Sequence, residues 1–272
     1  LLDGFLVKSS LGSYYQFVFQ VIDYGDLGAG EPLWAVAGQD IPAQQVAQFT
    51  LGAALETKSL LVDGEFYAKS SSNLTSLNLR VDRGFERPLA YDGESTATGF
   101  DFLIRKRLPP YSLWLAYSLA EVKHPSPRQP GGLPSPPRHD IRHRLNWANM
   151  LSLKHWDFAA NLALRSGSPY SRPQVVKTPC ADCTMDSLTY ALDFEKLNNL
   201  RLPGSVRVDL SATYKWAKKR STGKAGLAVY NLLNRKNFLD KDFLLNTPPY
   251  DEPQSSFDLQ ELGRLAAGIT PS

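Results

Sequence analysis

No stretch of this 272-residue chain supplies the ~18 uninterrupted apolar residues that a membrane-spanning helix needs. A large charge of one sign is also missing. Thirty Lys and Arg stand against 27 Asp and Glu, and the net +3 is too small and too evenly spread to suggest nucleic acid as a partner. There is no glycine-rich phosphate loop and no nucleophile elbow. Histidine is limited to His124, His139, His143 and His155. Three of them lie in or near one Pro-rich loop, and their spacing assembles no base with a nucleophile, so neither catalysis nor a cofactor is indicated. Cysteine is limited to Cys180 and Cys183 within Cys-Ala-Asp-Cys. Zinc usually takes four ligands and no partner pair is evident. The pair is open to reading as a metal half-site, a redox pair or a local disulfide, and a loop disulfide facing an oxidising compartment is favoured.

What the chain does have is strict alternation. Trp156, Phe158, Ala160, Leu162 and Leu164 point one way, while Asp157, Ala159, Asn161, Ala163 and Arg165 point the other. The dyad returns at 204–216, with Val206, Val208, Leu210, Ala212, Tyr214 and Trp216 opposite Arg207, Asp209, Ser211, Thr213 and Lys215. A period of two means a sheet with one apolar and one polar side. Ten or more residues per strand exceeds the usual ~5–6 and suits the ~9–11 of a membrane barrel. The 43% hydrophobic content is no obstacle, because the lumen-facing half of a barrel strand is polar.

About ten strands are expected, near 5–22 (irregular), 45–56, 59–70, 94–106, 111–123, 142–153, 156–167, 204–216, 224–234 and 261–270. Short links near Thr57-Lys58, Arg107 to Pro110, Lys154-His155 and Ala217 to Gly223 alternate with long ones at 23–44, 71–93, 124–141, 168–203 and 235–260. Outer-membrane barrels place short turns on the periplasmic side and long loops outside. On that scheme the last strand runs inward. A soluble β-sandwich with one buried face is the competing reading, but it gives no reason to gather every long loop at one end.

Cost decides which face meets lipid. Each mid-bilayer Arg or Lys on the lipid side costs ~2–4 kcal/mol, which turns Arg105, Arg144, Arg165, Arg207 and Lys215 inward. Phe100, Phe102, Ile104, Leu113, Leu115, Tyr117, Leu119, Leu145, Trp147 and Leu151 then face lipid. Asp63, Glu65, Asp101, Asp157 and Asp209 join the arginines in the lumen, where opposite charges can pair. Tyr111, Trp156 and Trp216 fall beside short turns, at the level of an aromatic girdle. Asn149 alone breaks the lipid-face pattern.

Several stretches resemble the barrel of TonB-dependent outer-membrane receptors of Bacteroidetes-like bacteria. They are Phe49 to Lys69, Thr98 to Val122, Arg138 to Asn146, Leu164 to Pro173, Leu202 to Tyr214 and Leu227 to Asn237, with Gly12 to Val21 at the start. The resemblance implies an all-β, antiparallel up-and-down transmembrane β-barrel of ~22 strands. Residues 1–272 would supply about its ten C-terminal strands, truncated at both ends, with no second domain and with the plug missing. It further implies the bacterial outer membrane as location and outer-membrane lipid as surroundings. The expected activity is uptake of a scarce extracellular ligand (siderophore-iron, cobalamin, glycan or peptide), driven by the TonB complex through the plug. Ligand contacts would come from outer loops, where Trp34, Arg128, His139, Tyr170 and Arg172 are the candidates. A passive porin is the alternative; a barrel enzyme or an adhesin has less in its favour.

Overall fold

The computed structural model describes residues 4–21, 34–77, 89–125, 134–172, 174–179, 188–193, 198–219, 221–246 and 258–265. Regular structure among them is all β, in eighteen strands. They begin with β1 (Phe5–Gln16), β2 (Val18–Gln20), β3 (Trp34–Val36), β4 (Gln44–Glu56), β5 (Leu60–Leu77), β6 (Leu89–Leu108) and β7 (Tyr111–Pro125). Then come β8 (Pro134–Ser135), β9 (His143–Ser152), β10 (Trp156–Arg165), β11 (Pro169–Tyr170), β12 (Gln174–Pro179), β13 (Leu188–Asp193) and β14 (Leu200–Arg201). The last are β15 (Ser205–Lys218), β16 (Ser221–Val229), β17 (Phe238–Asn246) and β18 (Asp258–Leu265).

One sheet dominates. Its order β1-β4-β5-β6-β7-β9-β10-β15-β16 is an antiparallel meander, with β8 paired on β7. β1 and β16 are its two edges among the described residues, so the barrel is not closed. The remaining pairs, β2-β3, β11-β14, β12-β13 and β17-β18, lie within or beyond the long links.

Register keeps the apolar phase intact from strand to strand. Phe5, Leu55, Val62, Ile104, Leu115, Trp147, Leu162 and Val208 form one row across eight strands. A one-residue slip at any pairing would turn every later side chain to the wrong face. The row is not covered by a second layer. Phe19, Val21, Ala54 and Leu202 are the buried apolar residues among those described, while Leu11 is 84% and Leu227 73% exposed. A sandwich would bury such a face; a sheet that meets lipid leaves it open.

The strand boundaries hold to within a few residues over most of the sheet, and the departures have local causes. The irregular strand expected at 5–22 is broken at Phe17: β1 pairs along its whole length with β4, and Val18–Gln20 leaves the sheet to pair with β3. β5 and β6 extend toward each other, shortening the link expected at 71–93. The strand expected to reach 234 ends at Val229, because Asn231 and Asn234 adopt left-handed φ of 51° and 47°. Asn231 closes that turn by accepting from the Arg235 amide at 3.3 Å and donating its own amide to Asp209 Oδ1 at 2.9 Å. The link expected at 235–260 contains β17, which pairs with β18.

Candidate functional site

A barrel's apolar band is ~25 Å tall, and about ten tilted residues cross it. Counted from Tyr111 beside its short turn, β7 therefore rises past the band near Ala120 and carries its last residues into the outer rim. There the chain places a carboxylate under cover. Asp140 lies in the segment leading into β9 and is 0% exposed. Its Oδ1 accepts the Val122 amide of β7 at 3.0 Å. Its Oδ2 is held by Arg201 Nη2 and lies 3.5 Å from Arg142 Nη2.

Arg201 comes from the far end of the long link at 168–203. Its Nη1 donates to the carbonyls of Asp140 at 2.9 Å and Gly167 at 3.1 Å. Arg142 continues outward to Glu121 at 2.7 Å, and Glu121 to Lys123 at 3.2 Å. The two ends of the link are joined directly, since Pro169 pairs with Arg201 and Tyr170 with Leu200. Ser171 is buried beside them and takes the Asn198 amide at 2.8 Å. One buried carboxylate thus ties the base of this outer link to β7 and β9. Two cations and an amide satisfy it, as a desolvated charge requires.

The loop candidates fall in different places. His139 precedes Asp140 and is exposed as a residue, and Tyr170 sits half-buried in β11, so both stand at this rim. Partial desolvation pushes the His139 imidazole below its ordinary range, and the Asp140 carboxylate pulls it upward less strongly. Arg172 is exposed just past β11. Trp34 is 63% exposed but belongs to the β2-β3 hairpin, which the order of the sheet puts several strands away. Arg128, Cys180 and Cys183 lie outside the described residues. The histidines do not converge, since His143 stacks on Tyr117 on the lipid side and His155 sits on a short turn. Among the described residues no group of His, Cys, Asp or Glu is arranged to hold a metal. Arg201 was not singled out by sequence, because nothing in Leu-Arg-Leu-Pro shows that it meets Asp140 sixty-one positions away.

The inward face carries the paired charges expected of it. Lys215 Nζ lies 2.7 Å from Asp157 on the neighbouring strand, and Arg207 Nε lies 2.8 Å from Asp209. Lys8 spans a strand to reach Asp63 at 3.0 Å and Glu65 at 3.1 Å, and Arg105 lies 3.6 Å from Glu56. On the outward face a girdle forms at the short turns. Trp156 packs on Tyr214 with centroids 5.1 Å apart, and Tyr214 on Trp216 at 6.2 Å. Asn149, the exception on this face, has a partner at girdle level: the Tyr111 hydroxyl donates to its Oδ1. Its Nδ2 has none.

No protein-family model matches the sequence, and no curated protein does. Solved structures do match. The ferric-catecholate import receptor Fiu from E. coli K12 superposes with a TM-score of 0.56 at 14% identity, over 88% of this chain and 30% of its own. The ferric yersiniabactin uptake receptor FyuA from Yersinia pestis gives 0.54 at 15% identity, over 97% of this chain and 34% of its own. The chain spans about a third of the length of these receptors. It has the fold of one part of a TonB-dependent outer-membrane receptor barrel.

Proposed function

We propose that the protein is an outer-membrane receptor that imports a scarce small extracellular ligand, with energy from the TonB complex acting through a plug domain outside residues 1–272. The observation that carries this reading is the two-sided sheet. Its outward rows are apolar and uncovered, its inward rows hold ion pairs, and the ends of two long links, 124–141 and 168–203, meet at Asp140. Only a lipid-embedded barrel gives each of those features a physical reason. Fiu and FyuA are named for ferric-catecholate import and ferric yersiniabactin uptake, which makes an iron chelate the first ligand to try.

The test is uptake by cells that express the full-length protein. Labelled ferric chelate should accumulate against a gradient, and accumulation should stop when the TonB complex is deleted. Flux that survives the deletion and falls smoothly with solute size would replace import with a passive porin.

A further inference from the structure

The two ends of the wall settle their charge differently. At the outer rim Lys123 and Arg142 share Glu121, at 3.2 and 2.7 Å, and Arg201 takes Asp140. At the opposite end the short turns after β4, β6, β9 and β15 follow one another along one edge. Hydrogen bonds link them: the Arg107 amide donates to the Ser59 carbonyl at 2.7 Å, the Ser152 amide to Pro110 at 2.8 Å and the Lys215 amide to His155 at 2.7 Å. Lys58, Lys154 and Lys219 sit in these turns, and all three are exposed. Lys106 lies on the lipid-facing side opposite Leu60, the first residue after the β4-β5 turn. Lys218 is on that side too, two positions past Trp216. Among the described residues none of these lysines is in an ion pair, and the described turn residues include no acid. The acids that flank the turns, Glu56 and Asp157, face the lumen and are matched there by Arg105 at 3.6 Å and Lys215 at 2.7 Å.

We propose that Lys58, Lys106, Lys154, Lys218 and Lys219 form a cationic collar that binds anionic phospholipid headgroups in the leaflet the short turns meet. Such a collar needs only a sheet in a bilayer, and would serve an importer and a porin alike. Neighbouring turns stand two strands, about 10 Å, apart. That is close to the Debye length at physiological salt, so the ammonium groups still repel one another. A soluble edge relieves such repulsion by mixing both signs. This one lies instead beside Tyr111, Trp156 and Trp216, aromatic residues of the girdle that marks the headgroup level. The row of Lys106 continues into Leu113 and Asn149 on the lipid side. Its four-carbon stem must therefore run along the wall to bring the ammonium to the headgroup layer. A zwitterionic headgroup already carries its own cation beside the phosphate. An anionic one leaves the phosphate for the lysine, and each lysine near an anionic surface gains about fivefold in association.

The experiment is titration of the full-length protein in detergent with phosphatidylglycerol or with phosphatidylethanolamine, the retained lipids being counted by native mass spectrometry. The wild type should retain the anionic lipid in preference, and the preference should shrink as salt rises. Lys106→Gln, Lys154→Gln and Lys218→Gln should each lower it about fivefold and leave phosphatidylethanolamine unchanged. Lys123→Gln, at the outer rim, should change neither. The heat-resistant gel mobility of each variant separates lost binding from lost folding. Equal retention of the two lipids by the wild type overturns the collar, as does a preference that the three turn variants keep. If those variants keep their lipids but lose co-sedimentation with purified cell-wall sacculi, the anion is the cell wall and the lipid collar is wrong.

Discussion

Lys8 reaches Asp63 at 3.0 Å although β4 runs between their strands, because Gly52 leaves the intervening position without a side chain. A Cβ at Gly52 would sit 2.8 Å from both the Gly64 carbonyl and Lys8 Cε. The glycine is required by close approach of its neighbours, not by its own backbone angles. Gly52→Val is therefore expected to destabilise the barrel more than Lys8→Met. The lysine variant loses partly exposed ion pairs of about 1 kcal/mol or less. Urea-unfolding midpoints of the two full-length variants check the order, and a reversed order would show that the ion pair, not the space, matters.

Asp140→Asn keeps an acceptor for the Val122 amide but removes the charge that Arg201 and Arg142 share. Breaking a buried pair from one side costs 3–5 kcal/mol. Both arginines are about one-third exposed and remain hydrated, so about 2 kcal/mol is expected. The loss should be local. Limited proteolysis should cut the link at 173–197 faster, while the heat-resistant mobility of the barrel on a gel stays as it was. A shifted barrel transition with no change in cutting would place the role of Asp140 elsewhere.

Asn149→Leu removes a lipid-side amide whose Nδ2 has no partner among the described residues and frees the Tyr111 hydroxyl for interfacial water. The expected effect is neutral to stabilising, within about 1 kcal/mol. Tyr111→Phe leaves the whole amide unpaired and should destabilise by about 1–3 kcal/mol. The double variant should recover most of that loss. A double-variant cycle of unfolding free energies in lipid vesicles reads all three.

Trp216 lies over Gly223, and a Cβ there would stand 2.3 Å from its Cζ2. Gly223→Ala should swing the indole away from the stack on Tyr214, at a cost of about 1 kcal/mol or less. Tryptophan quenching by brominated lipid, compared with a Trp216→Phe control, should change in the alanine variant. Unaltered quenching would mean that the ring already lies elsewhere.

Much of the sheet was legible because alternation is a local property. Trp156 to Arg165 alternate without a slip, and the ladder repeats that phase on both neighbours. β1 was harder to read because apolar residues occupy both its faces: Leu6 and Tyr14 stand on the same side as Lys8, while Val7 and Leu11 stand on the other. Contacts that close over distance left no mark in the sequence. Arg201 meets Asp140 across sixty-one positions, with β9 and β10 between them in the chain. The short β11-β14 ladder is two residues deep and carries no periodicity to find. His139, Tyr170 and Trp34 were all candidates as outer-loop residues; His139 adjoins Asp140 and half-buried Tyr170 lies in β11, whereas exposed Trp34 belongs to the separate β2-β3 hairpin.

The two-residue ladder at Pro169–Tyr170 and Leu200–Arg201 makes the outer link a cassette. Its mounting points are the ladder, the Asn198 amide on Ser171 and the Arg201 guanidinium on Asp140. What is inserted between Tyr170 and Leu200 does not touch the register of β10 and β15, which pair below the mount. Loop closure grows costlier only slowly with length, so segments of quite different size and specificity can be exchanged there without retuning the wall.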